Sequence, residues 1–467
     1  MVYKKYRRLF RGRENIMKVM QYVTTTETPL RPYELKPCGS DVGNSLILRV
    51  NDAPEKDPVI GLGVAITGSS CYELNTMEPE KRRAFLETIY GKEGLNLGVG
   101  RLSIGASDYS AEIYTYDDVP GDEKMEHFSV ERDESYVLPM IKEVLAVNPD
   151  LYLYASPWSP PGWMKTGNSI CGGYMRDKYV ECYADYIIKF IKAYEERGIH
   201  IQALTPQNEP ETDQTGFMPA CKWHPETEAK FISALKRKMR QEGIDAGIWM
   251  YDHCFTGWLR VKWMLEEYPE LLSDADAVAF HYYDTAIEWL DELRKYFPDI
   301  KYHFTEGGPR LYDHYGDDHC KWTTMMAKAF NHGCRSFTGW NLMLDETGGP
   351  NVGPFFCGGL ATLHSQTGEI TYSGQSRALA HFSKFVQRGA MVHGTTLSGD
   401  GAVMFGFATD KPWWAVESCA FHNPDGSHVL VLANSNSTKR QIQYQYGGQW
   451  WYIELLPNAV STVVFEK

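Results

Sequence analysis

The chain has 467 residues, 43% hydrophobic and 23% charged, with 47 basic against 60 acidic side chains and a net charge of −13. That length predicts one large and one small domain, and the composition is that of an ordinary globular protein. The acidic balance argues against nucleic acid or an anionic membrane surface as the main partner.

Residues 1–16 open with a basic stretch from Met1 to Arg13 that no apolar segment follows. They read as a disordered tail, or as sequence ahead of a true start at Met17, rather than as a secretory leader. No run of about 18 apolar residues occurs, so no membrane span is expected, and the cytoplasm is the expected compartment. Residues 17–56 carry no helical pattern and are expected to add strands to a side domain. Residues 57–387 alternate strand and helix. Short apolar runs at 59–65, 97–104, 151–156, 201–205, 248–251, 277–281, 301–305 and 335–340 suit parallel strands buried on both faces. Between them, residues 137–145 and 179–194 follow the i, i+3, i+4 rhythm, the latter stopping at Gly198. A third helix opens at Pro225 and ends at Gly243. Eight strands alternating with helices predict an α/β fold, a (β/α)8 TIM barrel. Residues 388–467 change texture: strand-like runs at 414–422, 428–434, 441–446, 450–456 and 461–466 are punctuated by Asn423-Pro-Asp-Gly426 and Asn434-Ser-Asn-Ser437. They predict an antiparallel β-sandwich side domain.

Aromatic residues are in excess, with 13 Trp, 29 Tyr and 20 Phe. A large aromatic core accounts for them, as does stacking of sugar faces on indole rings. Trp413, Trp414, Trp450 and Trp451 in the side domain are read as core packing rather than a second sugar-binding module. The ten cysteines are scattered without a C-x-x-C and are read as reduced, mostly buried thiols.

Two glutamates carry the chemistry. Glu209 stands in Leu204-Thr205-Pro206-Gln207-Asn208-Glu209-Pro210, and Glu306 in Phe304-Thr305-Glu306-Gly307-Gly308. Each follows an apolar strand at the point where it breaks into a loop, and a carboxylate at the C-terminal end of a barrel strand reads as catalytic. By strand count these are the fourth and seventh strand ends. Two such carboxylates suffice to cleave a glycosidic bond, with a separation of about 5–5.5 Å for retention of configuration and about 6.5–9.5 Å for inversion. The shorter distance is expected, with Glu306 as nucleophile and Glu209 as acid/base, its pKa raised by burial or by the charge on Glu306. Asn208 is placed to donate to a sugar 2-hydroxyl. Asp252-His253, His281, Asp284, Asp313-His314 and Asp317-Asp318-His319 are the candidates for a metal site, but their spacings fit no standard one, so no metal or other cofactor is expected.

The chain resembles family 30 of the glycoside hydrolases, the group containing lysosomal acid β-glucosylceramidase. The resemblance runs from about Gly61 to the C-terminus. It rests on the two glutamate motifs together with Arg101-Leu-Ser-Ile-Gly-Ala-Ser-Asp108-Tyr-Ser110, Tyr114-Thr-Tyr-Asp117, and Ala155-Ser-Pro-Trp158 with Lys165-Thr166 beyond it. His281-Tyr282-Tyr283, Gly339-Trp340-Asn341 and Gly348-Gly-Pro-Asn351 complete the set. It implies a barrel with a sandwich side domain and retaining chemistry without a metal. Glu209 matches the acid/base, Glu306 the nucleophile and Asn208 the residue beside the acid. Arg101, Asp108, Trp158, His281, Tyr283 and Trp340 fall on motif positions lining the sugar pocket. The chain departs from the pattern at Gly61-Leu-Gly-Val-Ala-Ile-Thr67-Gly68, where relatives carry an acidic residue after a threonine, and in the apolar Val352-Gly-Pro-Phe355-Phe356. Glucosylceramide is therefore not implied as the substrate.

The reading that follows is a retaining exo-β-glycosidase acting on β-glucosides, with a carbohydrate as its partner. An endo-β-1,6-glucanase, another β-glycanase, a β-xylosidase or a β-fucosidase of the same family is the alternative. A catalytically silent carbohydrate-binding protein is the reading from a different class.

Overall fold

Eight short apolar runs close into a parallel barrel in the computed structural model of the chain, which describes residues 17–39, 45–214, 216–398 and 416–466. Numbered within the barrel, the strands are β1 (Gly61–Ala65), β2 (Val99–Ile104), β3 (Tyr152–Pro157), β4 (Ala203–Leu204), β5 (Gly247–Cys254), β6 (Ala277–His281), β7 (Tyr302–Glu306) and β8 (Cys334–Gly339). Each pairs in parallel with its sequence neighbour, and β8 closes on β1. All eight of the expected strands are present and nearly every residue in them is buried. Closure is tight enough at β1 to require a glycine: a Cβ on Gly63 would lie 1.8 Å from the Val99 carbonyl oxygen.

The strand expected at 201–205 is shorter than its apolar run. The Leu153 N–H donates to the Gln202 side chain at 2.6 Å instead of to a backbone carbonyl, so the ladder begins only at Ala203. The three expected helices form as Val137–Val147, Val180–Glu195 and Pro225–Glu242, the last stopped by Gly243 at φ 66°.

The barrel interior is layered. Trp249 lies parallel to His303 at 3.7 Å between ring centroids and also packs on Tyr152 and Tyr154. Burial holds the His303 pKa well below its usual value, so this lower layer is uncharged. Arg101 and Asp252 lie above it, towards the strand C-termini.

Among the described residues the side domain has a ten-stranded sheet, antiparallel except where Leu46–Pro54 pairs in parallel with Arg440–Tyr446, and it draws on both ends of the chain. Val19–Thr24 pairs with Ala459–Phe465, and Leu46–Pro54 lies between Met391–Ser398 and Arg440–Tyr446. Leu46, Leu48, Leu430, Leu432, Ile442, Trp451, Ile453, Val463 and Phe465 fill its core. Trp451 is fully buried against Phe465, in agreement with the core reading, whereas Trp450 is half-buried. Trp413, Trp414 and the basic N-terminal stretch lie outside the described residues. The two domains share one continuous core, in which Phe330 and Phe382 of barrel helices meet Phe421 of the side domain. His381 bridges Thr24 and Thr462. All ten cysteines are free, and six are buried. Among the described residues no helix is long and apolar enough to cross a membrane.

Candidate active site

Strands β4 and β7 deliver the two glutamates to one face of the barrel. Glu306 is the last residue of β7, while Glu209 lies five residues beyond β4 in a left-handed backbone conformation (φ 50°) that costs a non-glycine residue energy. The Glu209 N–H donates to the Asp252 carbonyl, and this pins the loop to β5. Beyond Glu306, Gly308 passes so close to Trp340 that a Cβ there would lie 2.9 Å from its Cβ.

A cavity of about 230 Å³ opens above the strand ends and is lined by both glutamates and by Asp108, Trp158, Asn208, Tyr283 and Trp340, among others. Seven of the nine expected site residues therefore converge on it. The other two, Arg101 and His281, are fully buried beneath it and reach it through the carboxylates they hold. Arg101 pairs with Glu306 Oε2 and donates to Asn208 Oδ1 at 2.8 Å and to Asp252 Oδ2 at 2.9 Å. Because Asn208 accepts through its oxygen, its NH2 is left to face the cavity. Tyr283 donates to Glu306 Oε1 at 2.8 Å. Trp158 and Trp340 stack on each other at 5.2 Å, with the Arg101 guanidinium over both rings. Asp108 is buried with Oδ1 unpartnered. Burial first, then the charges on Glu306 and Glu209, hold its carboxyl well above the usual range. A ligand bearing hydroxyl groups would satisfy that oxygen.

His281 joins the two glutamates. Its Nδ1 lies 3.1 Å from Glu209 Oε1 and 3.8 Å from Glu306 Oε2, while its Nε2 meets Asp252 Oδ1 at 2.9 Å. Laid end to end, the first two distances cap the separation of those carboxylate oxygens at about 7 Å, which excludes most of the inverting range. Burial lowers the His281 pKa, but Glu306, Asp252 and Glu209 around it prevail and raise it to about 10. Glu209 departs from the expectation of a raised pKa. Burial does push it up, yet the His253 and His281 imidazoles outweigh that and hold the carboxyl well below the usual carboxylate range. Both histidines come from strands other than its own, which is why the glutamate's own context did not disclose them.

The sequence reading placed Asp252 only among metal candidates. It is instead the hub beneath the site: Arg101, Ser156 and Thr205 donate to its Oδ2, and His281 and Thr305 meet its Oδ1. Arg101 and His281, against the cost of burial, keep it ionised far below the usual range. A bulge in β5 aims it. Tyr251 (φ 77°) and Asp252 (φ 61°) are left-handed, and the β5–β6 register shifts there. Strict alternation would put Tyr251 inside above Trp249. The bulge turns Tyr251 outward onto Phe280 and leaves Asp252 and His253 both facing the site. A charged pair directly after a buried run was the available signal. Arg310, also missed, lies over the Tyr283 and Phe355 rings at the cavity wall.

The remaining metal candidates disperse. Asp284 accepts the Thr256 N–H, Asp313 pairs with Lys321, and His319 turns towards the side domain to meet the Asn458 carbonyl. Thr67, where relatives are expected to carry an acidic neighbour, caps the helix Gly68–Thr76 and donates to Asn341 Oδ1. A larger cavity of about 500 Å³ opens among Leu271, Leu272, Tyr296 and Pro298. Its acids Asp276 and Asp299 are already paired with Lys236 and Lys56, so it lacks convergent catalytic groups.

Residues 59–386 match the Glycosyl hydrolase family 30 TIM-barrel domain, and residues 401–463 match that family's beta sandwich domain. The chain is 30% identical over 442 residues to "Putative glucosylceramidase 3" of Caenorhabditis elegans, covering 89% of this chain and 81% of that protein. It is 28% identical over 445 residues to "Endo-1,6-beta-D-glucanase BGN16.3" of Trichoderma harzianum, covering 88% and 84%. The solved structure "The endo-beta1,6-glucanase BT3312" superposes with a TM-score of 0.84 at 28% identity, over 96% of this chain and 100% of that one. The chain belongs to glycosyl hydrolase family 30 and is a glycosidase.

Proposed function

We propose that this glycosidase cleaves β-glucosides with retention of configuration. Glu306 attacks the anomeric carbon and the glycosidic C–O bond breaks. Glu209 gives its proton to the departing oxygen, then takes one from the water that hydrolyses the glycosyl ester. The observation that carries this reading is the shared contact of both carboxylates with His281 Nδ1. Arg101 and Tyr283 hold Glu306 as an oriented anion. The Nδ1 proton of His281 lies on the line to Glu209 Oε1. As a sugar displaces water and the carboxylate loses hydration, that proton passes to Glu209 and arms it as the acid. Asp108 and the Asn208 amide bind sugar hydroxyls, and Trp158 and Trp340 wall the ring.

Exo action is the leading reading, because a cavity of about 230 Å³ suits a single hexose. Endo cleavage of a β-1,6-glucan is the second reading. It is favoured by the similarity to endo-1,6-glucanases and by Phe217, Tyr312 and Phe356. These are 62%, 75% and 64% exposed; Phe217 and Phe356 are next in sequence to the cavity residues Met218 and Phe355, and Tyr312 lies two positions from Arg310. The test is hydrolysis of aryl β-D-glucoside, xyloside, galactoside and fucoside beside a soluble β-1,6-glucan, with Glu306→Ala as control. Turnover of the aryl glucoside, lost in the control, supports exo action. Oligosaccharides released from the glucan alone favour endo cleavage, and silence on every substrate from folded protein refutes both.

A further inference from the structure

Glu209, His253 and His281 present three donor atoms that all lie within 4.8 Å of one another. Glu209 Oε1 is 3.1 Å from His281 Nδ1 and 3.5 Å from His253 Nδ1. Ligands at about 2.0–2.1 Å from a tetrahedral zinc ion sit roughly 3.3 Å apart, so these spacings are those of two edges of such a site that meet at Glu209 Oε1. His253 Nδ1 is buried and makes no hydrogen bond. Its Nε2 faces Thr212 Oγ1 at 3.4 Å, and Thr212 in turn donates to Glu209 Oε2 at 3.2 Å. With the Thr212 hydroxyl spent on Glu209, its oxygen accepts from His253 Nε2–H, which leaves the Nδ1 lone pair pointing towards the carboxylate. Two lone pairs facing each other at 3.5 Å repel; a proton on Nδ1, which makes His253 one of the partners that lower the Glu209 carboxyl, or a metal ion between them removes that repulsion. On the other side, His281 Nε2 rests on Asp252, the carboxylate–histidine arrangement that orients and strengthens an imidazole ligand. Against the carboxylates of Glu209, Glu306 and Asp252, Arg101 supplies one permanent positive charge.

We propose that Glu209, His253 and His281 form a site for a zinc-type divalent cation, and that filling it shuts the enzyme down. Two imidazole nitrogens and one carboxylate select a borderline ion such as Zn²⁺ or Co²⁺ over Mg²⁺ or Ca²⁺, which want oxygen ligands. Glu209 and His253 line the cavity, so a water from it would take the fourth position. Binding displaces the Nδ1 proton of His281 to solvent and ties up the Glu209 carboxylate, so no acid remains for the leaving oxygen. The inhibitory half rests on Glu209 being the acid/base; the binding half does not.

The test uses the full chain freed of metal with a chelator. Co²⁺ is titrated while the visible d–d absorption of a four-coordinate ion is followed, Zn²⁺ binding is measured by calorimetry, and β-glucoside hydrolysis is followed in parallel. The expected result is one ion per chain, intense cobalt bands displaced by Zn²⁺, no response to Mg²⁺, and hydrolysis that stops with occupancy and returns with chelator. His253→Ala, and His253→Gln as the volume-matched check on folding, each weaken binding by at least about 10–100-fold. No saturable binding, or binding untouched in both folded variants, overturns the site and leaves the glycosidase reading to the Glu306→Ala control. Binding that both variants weaken, but that leaves hydrolysis running, overturns the inhibition and with it the role given to Glu209.

Discussion

Replacing Asp252 with asparagine tests the electrostatic frame under the two glutamates. The carboxylate is fully buried and receives five donors between 2.7 and 3.0 Å. An amide keeps the volume but must turn its NH2 towards one oxygen's donors. Turned to the Oδ2 side it meets the Arg101 guanidinium. Turned to the Oδ1 side it meets His281 Nε2, which must then lose its proton to become an acceptor. The second arrangement costs less, so the variant folds with a neutral His281. Breaking one partner out of a buried charge cluster costs about 3–5 kcal/mol. For a barrel spanning residues 59–386 the entropy of unfolding is roughly 0.7 kcal/mol/K, so Tm falls by about 6 °C.

The pH dependence separates this account from a simple packing defect. In the native protein the folded His281 pKa is raised to about 10, against about 6.5 in the unfolded chain. Its stabilisation is fully present below about pH 6.5 and is lost as pH rises towards 10. The variant lacks that contribution, so the Tm gap is widest near pH 6.5 and narrows up to pH 10. It does not vanish, because the Arg101 pairing with Asp252 is missing at every pH. The assay is differential scanning fluorimetry of both proteins at half-unit intervals from pH 6 to 10. A gap that stays flat or widens with pH refutes the assignment of a charged His281 resting on Asp252.

Other substitutions probe the groups one at a time. Glu209→Ala should lose about 10²–10⁴-fold in kcat/KM on an alkyl β-glucoside and much less on a nitrophenyl one, whose leaving group needs no proton; equal losses of kcat/KM on both would deny it the acid role. Tyr283→Phe deletes a charge-assisted hydrogen bond to Glu306 worth about 1.5–3 kcal/mol, so kcat/KM should fall roughly 10- to 150-fold with Tm little changed. Trp451→Ala empties the side-domain core and should destabilise by about 3–5 kcal/mol. Activity per folded molecule should hold, and loss of sugar affinity instead would mark Trp451 as a binding residue.

The barrel was legible because parallel strands buried on both faces read as short apolar runs, and Glu209 and Glu306 because each stands where such a run ends. Arg101, Asp108 and Tyr283 were singled out through motif resemblance; the hydrogen bonds of Arg101 and Tyr283 to Glu306 give physical reasons for two of those positions, and Asp108 lines the cavity with Oδ1 unpartnered. What stayed hidden is what depends on neighbours across the barrel. Asp252 was weighed only as a metal ligand, since its inward direction comes from two left-handed residues in a bulge that no period-of-two reading anticipates. The depressed pKa of Glu209 comes from His253 and His281, residues on β5 and at the end of β6. Their approach to the fourth strand's loop is a property of closure, not of local sequence. The same closure brings these three groups into metal-binding range although their spacing along the chain matches no standard site.

The most direct test of double displacement at Glu306 is covalent trapping. Incubating the enzyme with an activated 2-deoxy-2-fluoro-β-D-glucoside slows both steps while the good leaving group lets the first proceed, so the glycosyl-enzyme ester accumulates and mass spectrometry of digested protein locates it. The account predicts one sugar per chain, esterified to the Glu306 carboxylate in the peptide containing Phe304-Thr305-Glu306-Gly307-Gly308. An adduct on another residue, or turnover of the parent glucoside that releases the α-anomer with no adduct, would contradict it.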